Sequence, residues 1–363
     1  MMTSAAAQTS ETLDRSAELP QDWDDLVRGC ATAEYTQTAH WLLCARRHYR
    51  GARLVVLTVR RGDRLVAGLA AVARRKGPIL HLDSSLDGTS GGPLVLDSLD
   101  PALRARLFLL LFERFARERR GPLTTLGLAL CPAHEQEFGS RVCGLGGWSR
   151  REISTAAISL DGGLERVDRE RMAKTKRNER NRGLRRGAEV FVTNDPQDLS
   201  RFYPLYRKAA AHWGIEPVPE AFMQGLLRGS GLADQVGEAF LTCATLEGEV
   251  IGAHLNLHLG DRVLAWAGVT DPALARTHFP STLCIWGDLS AACERGARWL
   301  DLGASEVAGS LLGFKKSFGA ELQLRGFYTS RGAALKFAEQ VRDRLRKRGE
   351  QANRWHDREP ERP

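Results

Sequence analysis

The sequence has no apolar run approaching the ~18 residues that a membrane-crossing helix needs. Its longest apolar stretch, Leu107–Phe112, is short and has Arg106 before it and Arg114 after it. The first residues lack the basic start and apolar centre of a secretory signal. Met1–Pro20 is instead rich in Ala, Ser and Thr, and reads as a disordered leader on a cytoplasmic protein. The seven cysteines are scattered, odd in number and contain no C-x-x-C pair. That spacing supports neither a disulfide framework nor zinc, and leaves buried free thiols in a reducing compartment. The nine histidines show no H-E-x-x-H spacing, so no metal is expected.

What the chain has is positive charge and two halves that each mix helices and strands in a similar grammar. Its formal net charge of +8 favours an anionic partner. Nine basic residues and two acidic ones fall within Arg169–Arg186, a segment with no proline and only Gly183 as a breaker. It reads as a linker helix whose Lys174 and Arg177 share one side. That side is either solvated or an anion-binding face. No aromatics are interleaved, which argues against a stacking platform for single-stranded nucleic acid.

Helices are expected over Trp23–Cys30, Thr38–His48, Pro101–Arg119, Leu199–Trp213, Pro219–Arg228 and Ser281–Glu294, with Ser281 as N-cap. Strands are expected over Leu54–Val59, Leu65–Arg74, Ile79–Asp83, Leu123–Leu130 and Ala188–Thr193. Glu238–Leu246, Val250–Leu259 and Arg262–Val269 should form a meander turned by Gly248 and Gly260, and a basic helix should start at Ala333. The turn in Val59–Gly68 is echoed by Leu246–Gly252. Such an echo, in equivalent places of two similar halves, suggests duplication of one α/β unit.

Two short segments carry the candidate chemistry. Trp299–Gly303 is an apolar strand ending in Asp301 and Gly303. Phe314–Ala320 places Lys315 and Lys316 between Phe314 and Phe318, four residues apart and on one helical face. A lysine anchored there would bind an anionic group or steady a developing oxyanion. It would equally serve as a partly buried helix end whose lysines reach water. His254, Asn256 and His258 alternate with leucines and share one strand face, which either lines a cleft or faces solvent.

Taken in order, several of these pieces resemble the GNAT superfamily, and more narrowly its two-domain Fem-type acyltransferases. They are strand Ser154–Leu160, Lys174-Thr-Lys-Arg177, Phe202–Tyr206, Glu247–Gly252, Asp301-Leu-Gly303 and Phe314–Gly319. Thr38–Trp41 and Gly91–Leu94 occupy fitting places in the first half. The resemblance implies an α/β (α+β) architecture of tandem GNAT-type folds, each a mostly antiparallel sheet with helices on both faces. The expected division is a leader (1–20), a first domain (21–160), a basic linker helix (161–187), the acyltransferase domain (188–348) and a disordered tail (349–363).

It further implies transfer of an acyl or aminoacyl group to an amine of a small molecule, peptide or cell-envelope precursor. The donor, acyl-CoA or aminoacyl-tRNA, would sit where two strands splay apart. Lys315 and Asp301 would be catalytic. Lys174, Arg177, Phe314, Phe318, Gly303, His254 and Asn256 would contact substrate. One departure bears on the donor: Thr270–Ser281 has none of the glycines of a Q/R-x-x-G-x-G/A pyrophosphate loop. No local Ser-His-Asp or Cys-His arrangement points to a covalent intermediate. The alternatives are an acyl-CoA-dependent acetyltransferase of polysaccharide biosynthesis, or a scaffold that binds an anionic ligand without turnover.

Overall fold

Two hairpins set the grammar of the fold. One is turned at Gly62, which adopts φ +60°, and the other at Glu247-Gly248, with φ +52° and +81°. Positive φ at the turn matches the twist of the flanking strands. The hairpins are the two echoing segments of the sequence, and they occupy equivalent places. The computed structural model describes residues 11–230, 234–305, 309–341 and 344.

The first half runs β1 (Glu11–Ser16), α1 (Trp23–Arg28), α2 (Ala39–His48), β2 (Arg53–Arg61), β3 (Arg64–Lys76), β4 (Ile79–Asp83), β5 (Leu94–Val95), α3 (Pro101–Ala116), β6 (Thr124–Ala129), α4 (Pro132–Cys143) and β7 (Ser149–Ser159). After α5 (Gly163–Arg166) and α6 (Lys174–Arg185), the second half runs β8 (Ala188–Thr193), α7 (Pro196–Trp213), α8 (Glu220–Gly229), β9 (Glu238–Leu246), β10 (Glu249–Leu259), β11 (Arg262–Thr270), α9 (Pro280–Glu294), β12 (Trp299–Ala304), α10 (Ser310–Lys316) and β13 (Glu321–Arg331).

The strands form one mixed, mostly antiparallel sheet in the order β1-β2-β3-β4-β6-β13-β7-β12-β11-β10-β9-β8, with β5 on β3. Read inward from either edge, the order is the same: four consecutive strands, a parallel partner, then a strand from the other half. β4 pairs parallel with β6, and β11 parallel with β12. At the centre β7 and β13 have changed places. β13 lies between β6 and β7, and β7 lies between β12 and β13. Ile153 opposes Arg325 midway along their antiparallel ladder. The boundary expected between 21–160 and 188–348 is therefore not a clean cut, because each half is completed by the other's last strand.

Apolar packing joins the halves as well. Trp41 of α2 meets Phe222 of α8 and Trp266 of β11 edge-on, each at a centroid distance of 5.0 Å. Such pairs add about 0.5–1.5 kcal/mol each beyond their buried area. On the second half's sheet, α9 packs on one face of β10, where it meets His254 and Asn256. α7 also packs against β10 and β11.

Three local expectations need correction. Residues 11–16, placed in the leader, form β1, an edge strand paired with β2 from Glu11↔Arg61 to Ser16↔Val56. Their polar sequence hid this, since an edge strand keeps much of its surface in water. The basic linker is not one helix. It breaks at Met172, which is 2% exposed and anchors the chain in the core, and α6 then continues through Gly183. Phe279 (φ +54°), not Ser281, is the N-cap of α9, and Pro280 is the first helical residue. The expected tail 349–363 lies outside the described residues.

Candidate active site

The parallel strands β11 and β12 pair only from Arg262–Leu264 against Trp299–Asp301, and then diverge. Asp301 sits at the vertex. Its Oδ1 accepts from the Gly303 amide at 2.8 Å and from the Thr155 hydroxyl, and its Oδ2 accepts from Arg262 at 3.0 Å. Arg262 also donates to Gln323 Oε1 at 3.3 Å. The carboxylate thus ties β7, β11 and β12 together and draws Gly303 into a left-handed turn, φ +77°, where β12 bulges against β7. Asp301 is 4% exposed and is not part of the cleft wall. It builds the splay rather than facing a ligand, which argues against the catalytic contact expected for it.

Lys315 lies against the carbonyls that β12 leaves unpaired as it departs. Its Nζ donates to Gly303 O at 3.1 Å and to Ala304 O at 2.8 Å. An ammonium has three donors, so one remains for a ligand in the cleft that Lys315 lines. Burial lowers its pKa to about 8, against an opposing pull from Asp301. Lys316, the alternative, is exposed. Phe314 lines the cleft and meets the buried Phe318 edge-on at 5.2 Å.

The cleft has a volume of about 1140 Å³. On the α9 side its wall includes Thr270, Ser281, Ile285 and His254. From the first half come Tyr49, Arg74, Lys76 and Asp87, and from α7 and the segment after it Tyr206, Lys208 and Trp213. Asp87, itself in a left-handed conformation (φ +54°), accepts from Arg74 at 3.2 Å and from the Tyr49 hydroxyl. The Arg74 guanidinium lies 4.3 Å over the Tyr49 ring.

His254 Nδ1 lies 2.5 Å from Oδ2 of Asp288, which is fully buried on α9. Asn256 donates to Asp288 Oδ1 at 2.8 Å and to Thr242 Oγ1 at 3.1 Å. Asn256 is fully buried and supports the site from beneath rather than lining it. Sequence reasoning found His254 but missed Asp288. The signal was present as a single acid in the apolar run Leu283–Ala292.

A family model for the GNAT acetyltransferase domain matches residues 170–316. That stretch holds β11, β12, Asp288 and Lys315. The chain is similar to that family over these residues. Solved structures extend the likeness to nearly the whole chain. FemX superposes with a TM-score of 0.63 at 12% identity, covering 86% of this chain and 96% of that one. A tandem GNAT protein from the clavulanic acid biosynthesis pathway gives 0.52 at 14% identity, covering 88% and 99%. L-PGS from Bacillus licheniformis gives 0.50 at 14%, covering 92% and 98%. At these identities the likeness is one of fold. No curated protein matches the sequence.

The first half repeats the GNAT topology but not the opening. Beyond the β4–β6 pairing its own chain closes the gap. The Ser84 amide donates to Gly127 O at 2.9 Å, Gly91 to Ala129 O at 2.8 Å, and Ala129 to the Ser85 hydroxyl at 2.8 Å. A side chain at Gly91 would meet Ser84 O at 2.2 Å, so only glycine lets the plug close.

The basic segment that opens the matched stretch is not gathered into the cleft. Arg177 donates to the carbonyls of Asp168, Arg169 and Met172, at 2.6, 3.2 and 2.7 Å, and so caps the preceding turn. Arg180 pairs with Asp168 at 2.7 Å and stacks 4.0 Å over Trp286. Lys176 pairs with Glu179 and lies 4.6 Å over the Phe314 ring. Lys174 is exposed, outside the cleft wall. Neither Lys174 nor Arg177, both expected to contact substrate, lines the cleft: Lys174 faces solvent, and Arg177 is turned to the carbonyls it caps.

Proposed function

We propose that this chain transfers an acyl or aminoacyl group from an activated donor, held in the β11–β12 splay, to an amine acceptor entering between the halves. The observation that carries the reading is the splay itself, opening into a large cleft with Lys315 at its closed end. The acceptor nitrogen attacks the donor carbonyl carbon, and a C–N bond forms. The Lys315 ammonium donates to the oxyanion of the tetrahedral intermediate. Collapse breaks the C–S bond of a thioester, releasing a thiol, or the C–O bond of an aminoacyl ester, releasing a hydroxyl. Gly303 and Phe314 shape the donor channel, Phe318 backs Phe314, and Asp301 keeps the strands apart.

Two donors suit this site. The GNAT domain favours acyl-CoA. The glycine-free turn Asp271–Phe279 before α9, and the whole-chain likeness to FemX and L-PGS, favour aminoacyl-tRNA and a peptide or cell-envelope acceptor. Either donor places the reaction in the cytoplasm. The test is the thermal stability of the purified protein with acetyl-CoA, longer acyl-CoAs, and charged or uncharged tRNA. A ligand held only by the folded state adds about 2.7 kcal/mol at a hundredfold excess over its Kd. Stabilisation by a thioester, with turnover lost in Lys315→Ala, assigns the CoA branch. Stabilisation by charged tRNA alone assigns the aminoacyl branch. Stabilisation by none of them contradicts the proposal.

A further inference from the structure

The acyl acceptor must lose a proton to become a nucleophile, because an alkylammonium has no lone pair at neutral pH. The cation at the vertex, Lys315, serves the oxyanion and is not placed to take that proton as well. A base elsewhere on the cleft is needed.

α9 is almost wholly apolar where it meets the sheet: Leu283, Cys284, Ile285, Leu289, Ala291 and Ala292 are all buried. Into this face it inserts one carboxylate, Asp288, with no exposure to solvent. A buried carboxylate is costly unless hydrogen-bonded. Its two oxygens meet Asn256 Nδ2 and His254 Nδ1. Asn256 is fixed in turn by Thr242 and by the His254 carbonyl, at 3.1 Å each.

The acceptor-only carboxylate takes the proton of Nδ1, which leaves Nε2 as the nitrogen with the lone pair. Among the described residues Nε2 has no protein hydrogen-bond partner. The edge of the ring that bears it lies over Gly268, a cleft-lining residue of β11. A Cβ at that position would stand 2.4 Å from Cδ2 and 2.9 Å from Nε2. Glycine is thus what makes room for the imidazole at the cleft.

Resting on the acyl-transfer reading above, we infer that His254 is the base that takes the proton from the acceptor amine, and that Asp288 positions it. Nε2 accepts one proton from the acceptor ammonium. The freed nitrogen lone pair forms the C–N bond. When the C–S or C–O bond breaks, that proton passes to the departing sulfur or oxygen, and the second proton of the acceptor nitrogen is lost to water as the amide forms, so the imidazole ends as it began. The groups facing the ring are Asp288 from α9, Asn256 from β10, Thr242 from β9 and the backbone of Gly268 from β11. The nearby thiols, Cys284 and Cys243, are pushed well up by burial and stay neutral. Lys315, Arg74, Lys76 and Lys208 are cations elsewhere on the cleft wall.

The test compares wild type, His254→Gln, Asp288→Asn and Gly268→Ala, using whichever donor wild type accepts. Two acceptor probes are used: ethylamine, which is protonated at neutral pH, and hydroxylamine, which is not. With ethylamine, His254→Gln should lose about 10²–10⁴-fold in kcat/KM and lose the acid limb of its pH profile. With hydroxylamine the loss should shrink by at least tenfold, since no proton need be removed first. Added imidazole should restore part of the ethylamine rate. Gly268→Ala, which displaces the ring without removing it, should fall between. Asp288→Asn should lower kcat while the donor still stabilises the protein.

Wild type that forms no product with any donor overturns the acyl-transfer reading, and this inference with it. An active wild type whose His254→Gln loses equally with both probes, and keeps its acid limb, overturns this inference alone.

Discussion

The amide of Gly303 donates to Oδ1 of Asp301, two residues back, at 2.8 Å. This one bond converts a strand into the open arm of a cleft. It satisfies an N–H that no longer has a strand to bond, and it fixes the left-handed backbone where Lys315 finds its carbonyls. Gly303→Ala should therefore cost about 1–2 kcal/mol, the penalty for a Cβ in that conformation. The nearest atom to such a Cβ, Ala265 O, is 3.7 Å away and does not clash. Urea denaturation measures the loss, and a change below 0.3 kcal/mol would show that the turn is not held.

Asp301→Ala should cost more. It leaves the Arg262 guanidinium, 17% exposed, without its carboxylate. Breaking a buried pair from one side costs roughly 3–5 kcal/mol. Asp301→Asn keeps a carbonyl oxygen for Gly303 and should cost less. Equal losses in the two variants would contradict the assigned hydrogen bonds.

Lys315 gives a pH signature. Its folded pKa of about 8 lies below the ordinary lysine value of 10.5. Between those values the unfolded chain binds more protons at this site than the native one, so the native state gains stability as pH rises. Below about pH 8 the full penalty for burying the ammonium is present. Urea midpoints of wild type and Lys315→Met, compared from pH 7 to pH 10.5, should therefore move in favour of wild type across this window. Parallel curves would refute the shift. In turnover the same ionisation should remove the oxyanion donor as pH passes 8, and Lys315→Met should lose about 10²–10³-fold in kcat.

The two basic residues expected to bind an anion should behave unlike each other. Lys174→Glu should change stability by less than about 0.5 kcal/mol, as exposed positions do. Arg177→Ala should cost about 1–3 kcal/mol through the three carbonyls it leaves bare. Donor-induced stabilisation should survive both substitutions. Its loss in Lys174→Glu would return α6 to the binding surface.

Because β7 and β13 have changed places, neither half should fold alone. Residues 161–363 expressed by themselves lack the two strands that flank β13, and residues 1–160 lack the strand between β6 and β7. Each should be insoluble or unfolded by circular dichroism, and co-expression should recover a complex. A folded, monomeric fragment from either half would contradict the exchange.

The meander β9–β11 was legible because alternation and turn glycines are local signals, and its bounds fell within a residue or two of expectation. Duplication was legible from the echoing hairpins. Strand order at the centre was not, since Glu321–Arg331 alternates as any strand does and nothing local names its neighbours. Of the site, Lys315, Phe314, Gly303 and His254 were singled out in the sequence, and all four line the cleft. Asp301 was found too, but its partners Thr155 and Arg262 are remote in sequence, so its work at the vertex could not be read from the chain. Charge density in α6 suggested a ligand where the structure shows capping, because a guanidinium's partner depends on three-dimensional neighbours rather than on composition.

The exchange also orders events during synthesis. β6 and β7 leave the ribosome as neighbours in sequence, yet the strand that must separate them is completed about 170 residues later. At about 5–20 residues per second, the nascent first half waits roughly ten to thirty seconds with two strand edges open. Open edges are templates for pairing with other chains. The last strand among the described residues, β13, is thus also the one that ends this vulnerability to aggregation, and any slowing of translation after residue 160 lengthens that exposure.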